Sequence, residues 1–243
     1  VKNFIKINKI NAIINCAAYT AVNKAETEPA LADAINHLAV ANFAKLSKEN
    51  NIKLIHISSD YVFDGNSQKP YTETDTPNPQ SVYGQTKLDG ELAIQKINPA
   101  NSIIIRTSWL YSKFGNNFLK KMLRLGKNSS EISVVSDQIG TPTNAADLAL
   151  AILKILPRLQ NTSVELFHYS NEGVCSWHDF ALEIFKIREI KTVVNTVKTS
   201  EFPTHVKRPT YSVLDKGKIK TFFDIAVPFW KDSLICLLYT SPS

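Results

Sequence analysis

The chain has 243 residues, 44% of them hydrophobic, with 28 Lys and Arg against 22 Asp and Glu. That composition is globular, and the length accommodates one large domain or a domain with a smaller lobe. No apolar run approaches the roughly 20 residues of a membrane helix. Even the most apolar helical stretch, 145–156, is interrupted by Asp147 and Lys154.

Three cysteines, Cys16, Cys175 and Cys236, are odd in number and far apart, with no C-x-x-C and no neighbouring His cluster. A disulfide framework and a metal site are therefore not expected, and a reducing cytoplasm is the natural compartment. The opening VKNFIKINKI has no apolar signal core and no initiating Met. The net charge of +6 is concentrated in 186–220, where nine Lys and Arg meet only Glu189, Glu201 and Asp215. Such a segment suits an anionic small ligand or a solvated surface. Aromatics are not interleaved with the charges, so no nucleic acid is expected.

In chain order, the apolar run 12–17 reads as a buried strand. Residues 28–50 read as a helix with Leu31, Ile35, Leu38, Ala39, Phe43 and Leu46 on one face. A second strand at 52–58 leads into a loop rich in Gly, Pro, Asn and Thr over 64–80 and a helix from about 81 to 96. Strand 102–107, helix 116–125, strand 132–135 and helix 144–156 follow, with Asn144 as the helix N-cap. A last strand–helix pair spans 164–168 and 177–187. This alternation predicts an α/β fold, a doubly wound and mostly parallel sheet covered on both faces. The main core is expected over 1–157 and a smaller α/β lobe over 158–234. In such folds ligands sit beyond the carboxyl ends of the strands.

The strand at 52–58 runs into Ser58-Ser59-Asp60-Tyr61, and Tyr83 and Lys87 follow at i and i+4 on one helix face. An ordinary tyrosine, with a pKa near 10, exchanges protons poorly at neutral pH; a fixed cation nearby brings it into use as a general acid. Ser59 is placed to hydrogen-bond the oxygen that receives the proton. About one Y-x-x-x-K is expected by chance in a chain of this composition, so the pair alone is weak. His56, inside an apolar strand, reads as structural, and His178 as a cap or surface residue.

The set Ser59–Tyr83–Lys87, after the strand end Asn15-Cys16-Ala17-Ala18, resembles the extended short-chain dehydrogenase/reductases. NCAAYTAVNKAETEP (15–29), SSDYVFDG (58–65), VYGQTKLDGE (82–91), RTSWLY (106–111), GNNF (115–118), SDQIGTPT (136–143) and SWHDFA (176–181) resemble, more narrowly, the dTDP-4-dehydrorhamnose reductase family. That likeness runs from about residue 10 to 230. It implies a Rossmann-like core binding NADPH or NADH, and reduction of the C4 ketone of dTDP-4-dehydro-6-deoxy-L-mannose. Tyr83 is then the proton donor, and Lys87 lowers its pKa and holds the nicotinamide ribose. Ala18, Tyr19 and Thr20 line the cofactor. Ser59, Asp60 and Trp109 touch the sugar, and a homodimer is allowed. Ser59 replaces the family's usual threonine and Asn23 its usual aspartate.

The resemblance also implies a glycine-rich phosphate turn, G-x-x-G-x-x-G, which does not occur here, so about 30 or more residues are expected ahead of Val1. Residues 235–243 are expected to be a non-native tail. Other readings are another 4-keto-6-deoxysugar-nucleotide reductase, a sugar-nucleotide dehydratase or epimerase, and a non-catalytic regulatory subunit of the methionine adenosyltransferase type. Dehydration is disfavoured because Asp60 is followed by Tyr61 rather than a second acid.

Overall fold

The computed structural model describes residues 1–201 and 206–240. After α1 (Lys2–Ile7) and β1 (Ala12–Asn15), short helix α2 (Val22–Ala25) leads into α3 (Pro29–Asp33). A π-helical turn, Ala34–Leu38, joins α3 to α4 (Ala39–Asn50), and β2 (Lys53–Ser59) ends in a 3-10 turn, Asp60–Val62. Then come α5 (Val82–Ile97), β3 (Ser102–Thr107), β4 (Leu110–Tyr111), α6 (Phe118–Asn128) and β5 (Glu131–Val135). The two-residue strands β6 (Ile139–Gly140) and β7 (Thr143–Asn144) precede α7 (Ala145–Ile155) and β8 (Glu165–His168). The rest is β9 (Cys175–Ser176), α8 (Trp177–Ile187), β10 (Val193–Val197), α9 (Gly217–Phe223) and α10 (Trp230–Thr240).

The main sheet is parallel, in the order β1-β2-β3-β8. Every residue of β3 is buried, which is why SIIIRT reads as a continuous apolar run. Ile103 and Ile105 face a core completed by α7, α9 and Phe167, whereas Ile104 faces Val40, Ala44 and Ile94 of α4 and α5. The sheet is thus covered on both sides, as the alternation predicts.

Helix ends follow from local chemistry. Ser81 Oγ accepts from the Gly84 N–H, Asn117 Oδ1 from that of Lys120, and Asn144 Oδ1 from that of Ala146. Ser176 and Asp179 form a reciprocal capping box at α8. Each such cap is worth about 1 kcal/mol.

Several expectations change. Strand β1 lies at the sheet edge among the described residues, with Ile14 exposed rather than buried. In 29–50 the large side chains Leu31 and Leu38 are exposed, and the buried face is Ala32, Asn36, Val40, Ala44 and Ser47. Close packing explains the inversion. A Cβ at Gly90 of α5 would lie 2.2 Å from the Asn36 carbonyl oxygen, so only small residues fit the crossing. The π-turn also rotates the face between α3 and α4.

The division expected at residue 157 is crossed in both directions. Strand β8 joins the main sheet and α9 packs on it, while β5 pairs in parallel with β10 and α6 packs with α8 in the lobe core. Residues 235–240, part of the segment expected to be a non-native tail, continue α10 and bury Leu237 and Leu238 in that core. Residues 241–243 lie outside the described residues.

Helix α5 is tied to β3 by an ion pair. Arg106 Nε and Nη2 donate to Glu91 at 2.6–3.2 Å, and both side chains are almost fully buried. Removing one partner strands a buried charge, which costs about 3–5 kcal/mol. Glu91→Gln is therefore expected to lower unfolding stability by that amount in chemical denaturation. The double variant Glu91→Leu/Arg106→Met is expected to lose much less.

Candidate active site

A cavity of about 320 Å³ opens at the carboxyl ends of β1, β2 and β3. It is lined by Cys16, Ala18 and Thr20 after β1, Ser58 to Tyr61 after β2, and Thr107 to Leu110 after β3. Tyr83 and Lys87 of α5 and Trp177 of α8 complete it. The structure thus gathers Ser59, Asp60, Tyr83, Lys87, Trp109, Ala18 and Thr20 around one space. Tyr19 is the exception. Its hydroxyl binds Glu28, while its backbone N–H and C=O are clamped by the Asn36 amide at 2.9 and 3.1 Å.

Local packing positions the reacting groups. A Cβ at Gly84 would lie 2.2 Å from the Tyr61 carbonyl oxygen, so the first turn of α5 sits directly on the turn carrying Asp60. The Tyr61 ring meets the Tyr83 ring edge-on at 5.4 Å. Ser59 Oγ donates to Asp60 Oδ1 at 3.0 Å and accepts from the Tyr61 N–H at 3.1 Å.

Trp109 adopts φ +47°, a left-handed conformation that is strained for a bulky residue and concentrates at functional sites. Its ring stacks on Trp177 at 3.6 Å, with the planes 9° apart. Gly140 makes room, since a Cβ there would meet the Trp109 ring at 2.6 Å.

The electrostatics depart from the expectation for Tyr83. Burial pushes its phenol up from 10, and the group pulling it down is the Ser59 hydroxyl rather than Lys87. Lys87 is itself brought down to about 8, because burial disfavours the ammonium. Its Nζ donates to the Ile57 carbonyl at 2.6 Å and lies 3.4 Å from His56 Nε2. His56, read as structural, is indeed fully buried, but it also touches Lys87, and the strand's apolar pattern gave no sign of that contact. His178 is not the cap; its Nε2 lies 3.2 Å from the Val194 carbonyl, tying α8 to β10.

The basic segment is partly neutralised, as Lys216 and Lys220 pair with Glu172 and Lys218 with Glu165. Its Arg208 lies beside a second cavity of about 340 Å³, lined by Phe118, Lys121, Met122, Gln138 and Trp177. Trp177 borders both cavities, and sequence reasoning did not single out either Trp177 or Arg208. Outside this region, Asp33, His37 and Asp89 bring one potential ligand atom each within 4.8 Å of one another. His37 there already pairs with Asp33.

The family model described as RmlD substrate binding domain matches residues 1–241. A dTDP-4-dehydrorhamnose reductase of Sinorhizobium fredii is 44% identical over 231 residues, 91% of this chain and 77% of the relative. The chain belongs to the dTDP-4-dehydrorhamnose reductase family. The Escherichia coli K12 reductase is 40% identical over 90% of this chain and 76% of its own length. The solved reductase of Clostridium acetobutylicum superposes with a TM-score of 0.92 at 43% identity, covering 98% of this chain and 83% of that one. A Bacillus anthracis reductase solved in complex with NADP gives 0.94 at 39% identity, covering 99% and 84%. A dTDP-glucose 4,6-dehydratase of the same organism, 17% identical, shares the fold. No helix among the described residues is long and apolar enough to cross a membrane.

The polar lining of this cavity fits part of such a cofactor. The buried Ser58 hydroxyl has no hydrogen-bond partner among the described residues, and Thr20 and Lys87 border the same cavity.

Asp60 yields a pH prediction. Burial raises its carboxyl to about 6, against the opposing pull of the Ser59 and Ser212 hydroxyls. A carboxyl raised from 3.8 binds its proton more tightly when folded, so it costs stability as pH rises from about 4 to 6. Asp60→Asn is therefore expected to stabilise the fold above pH 6, by on the order of 3 kcal/mol, and to leave it unchanged below pH 4. Urea unfolding at pH 3.5 and 7.5 checks both arms.

Proposed function

We propose that this chain reduces the C4 ketone of dTDP-4-dehydro-6-deoxy-L-mannose to give dTDP-L-rhamnose, with NADPH as reductant. The observation that carries this reading is the convergence of Ser59, Tyr83 and Lys87 on one cavity at the strand ends. NADPH is favoured as cofactor because the Bacillus anthracis relative is a complex with NADP.

When bound, the cofactor supplies a hydride to the carbonyl carbon. Ser59 hydrogen-bonds the carbonyl oxygen, and Tyr83, kept protonated by its burial, gives that oxygen its proton. The paired Trp109 and Trp177 rings offer an apolar wall to the hexose. The second cavity suits the nucleotide. Trp177 and Phe118 offer apolar faces to the base, and Lys121 and Arg208 offer charge to the diphosphate. Arg208 Nη1 lies 3.5 Å from the Tyr61 hydroxyl, at the boundary between the two spaces.

Loss of absorbance at 340 nm on mixing chain, NADPH and the 4-keto sugar nucleotide tests the reading. Tyr83→Phe is expected to lower kcat by roughly 10²–10⁴, with circular dichroism and NADPH binding retained. An unchanged rate would reject Tyr83 as the proton donor. No turnover by the folded, cofactor-bound chain would favour a regulatory binding subunit instead.

A further inference from the structure

Lys87 is not held by the cofactor cavity alone; a hydrogen-bond chain reaches it from β1. Asn15 Oδ1 accepts the Ala17 N–H at 3.2 Å, which orients the Asn15 amide. Its Nδ2 then faces His56 Nδ1 at 3.0 Å. An amide nitrogen only donates, so His56 Nδ1 must be the accepting, unprotonated nitrogen. The single proton of the neutral ring is therefore on Nε2. The ring stays neutral because burial and Lys87 hold its pKa well below 6.5.

His56 Nε2–H thus points at Lys87 Nζ, 3.4 Å away. An ammonium offers only N–H groups, whereas an amine offers a lone pair. This tautomer accommodates the amine and opposes the ammonium. The other groups acting on Lys87 are Glu91 of α5 and Cys16 after β1, and both favour the ammonium. Glu91 is already engaged by Arg106 of β3, and the Ile57 carbonyl accepts from either form of the lysine.

We propose that His56, locked as its Nε2–H tautomer by Asn15, is a positioning residue that sets the protonation of Lys87. The proposal rests on the reductase reading for its purpose. After Tyr83 has given up its proton, the phenolate takes one from the Lys87 ammonium, and the resulting amine takes one from water. Lowering the Lys87 ammonium below the ordinary value near 10.4 makes it a stronger acid toward the phenolate of Tyr83, whose phenol burial holds above 10. An ammonium titrating close to the working pH serves well.

The test is NMR of the cofactor-free chain, with ¹⁵N-labelled histidine and lysine labelled with ¹³C at Cε. The Lys87 signal is assigned by its loss in Lys87→Arg. His56 is expected as the Nε2–H tautomer, unchanged between pH 5 and 9. In Asn15→Asp the carboxylate accepts from Nδ1–H, turning the Nε2 lone pair toward Lys87. The Lys87 midpoint should then rise by about one pH unit, and the alkaline limb of kcat/KM with it. An Nδ1–H tautomer in the unsubstituted chain overturns the proposal, as does an unmoved Lys87 midpoint in folded Asn15→Asp. If Asn15→Asp does not fold, the tautomer in the unsubstituted chain decides. Because neither NMR measurement needs substrate, failure of the reductase assay and failure of this proposal are distinguishable.

Discussion

The site depends on how α5 is held against the sheet. The Arg106–Glu91 pair fixes the middle of the helix to β3, and Gly84 and Gly90 allow contact with the Tyr61 and Asn36 carbonyls. Tyr83 and Lys87 lie on the first two turns of this helix, beside the three close approaches. Neither glycine can carry a side chain without moving the helix, and neither charge can be removed alone without stranding the other. The constraint reaches back to 29–50, where the crossing admits only small residues and leaves Leu31 and Leu38 outside.

Burial then does the chemical tuning. The same desolvation that raises the Tyr83 phenol lowers Lys87 to about 8 and raises Asp60 to about 6. Each shift favours the neutral form of its group, as expected where water is excluded. Around this centre the protein accepts local strain. Trp109 takes a left-handed backbone so that its ring can stack on Trp177, and Gly140 leaves space for it.

Much of the fold was legible because its determinants are local. The apolar run of 102–107 is strand β3, Trp177–Ile187 is α8 as expected, and Asn144 caps α7 through the Ala146 N–H. The Ser59, Tyr83 and Lys87 positions were legible for the same reason: a strand end and an i, i+4 spacing are properties of short segments. The buried face of 29–50 was not, because it depends on the partner helix. Nor was the role of His56, whose partners are 41 and 31 residues away.

By itself, then, the sequence determined the alternation of strands and helices, the helix caps, the family likeness and the candidate donors. Periodicity and capping act over a few residues and can be read directly from the order of side chains. Only the tertiary structure decided that Lys87 faces a histidine, that Tyr83 is raised by burial, and that Trp177 joins two cavities. Those outcomes depend on which groups lose water together and which neighbours they meet. Desolvation and contact are set by segments distant in the chain, so no short stretch of sequence encodes them.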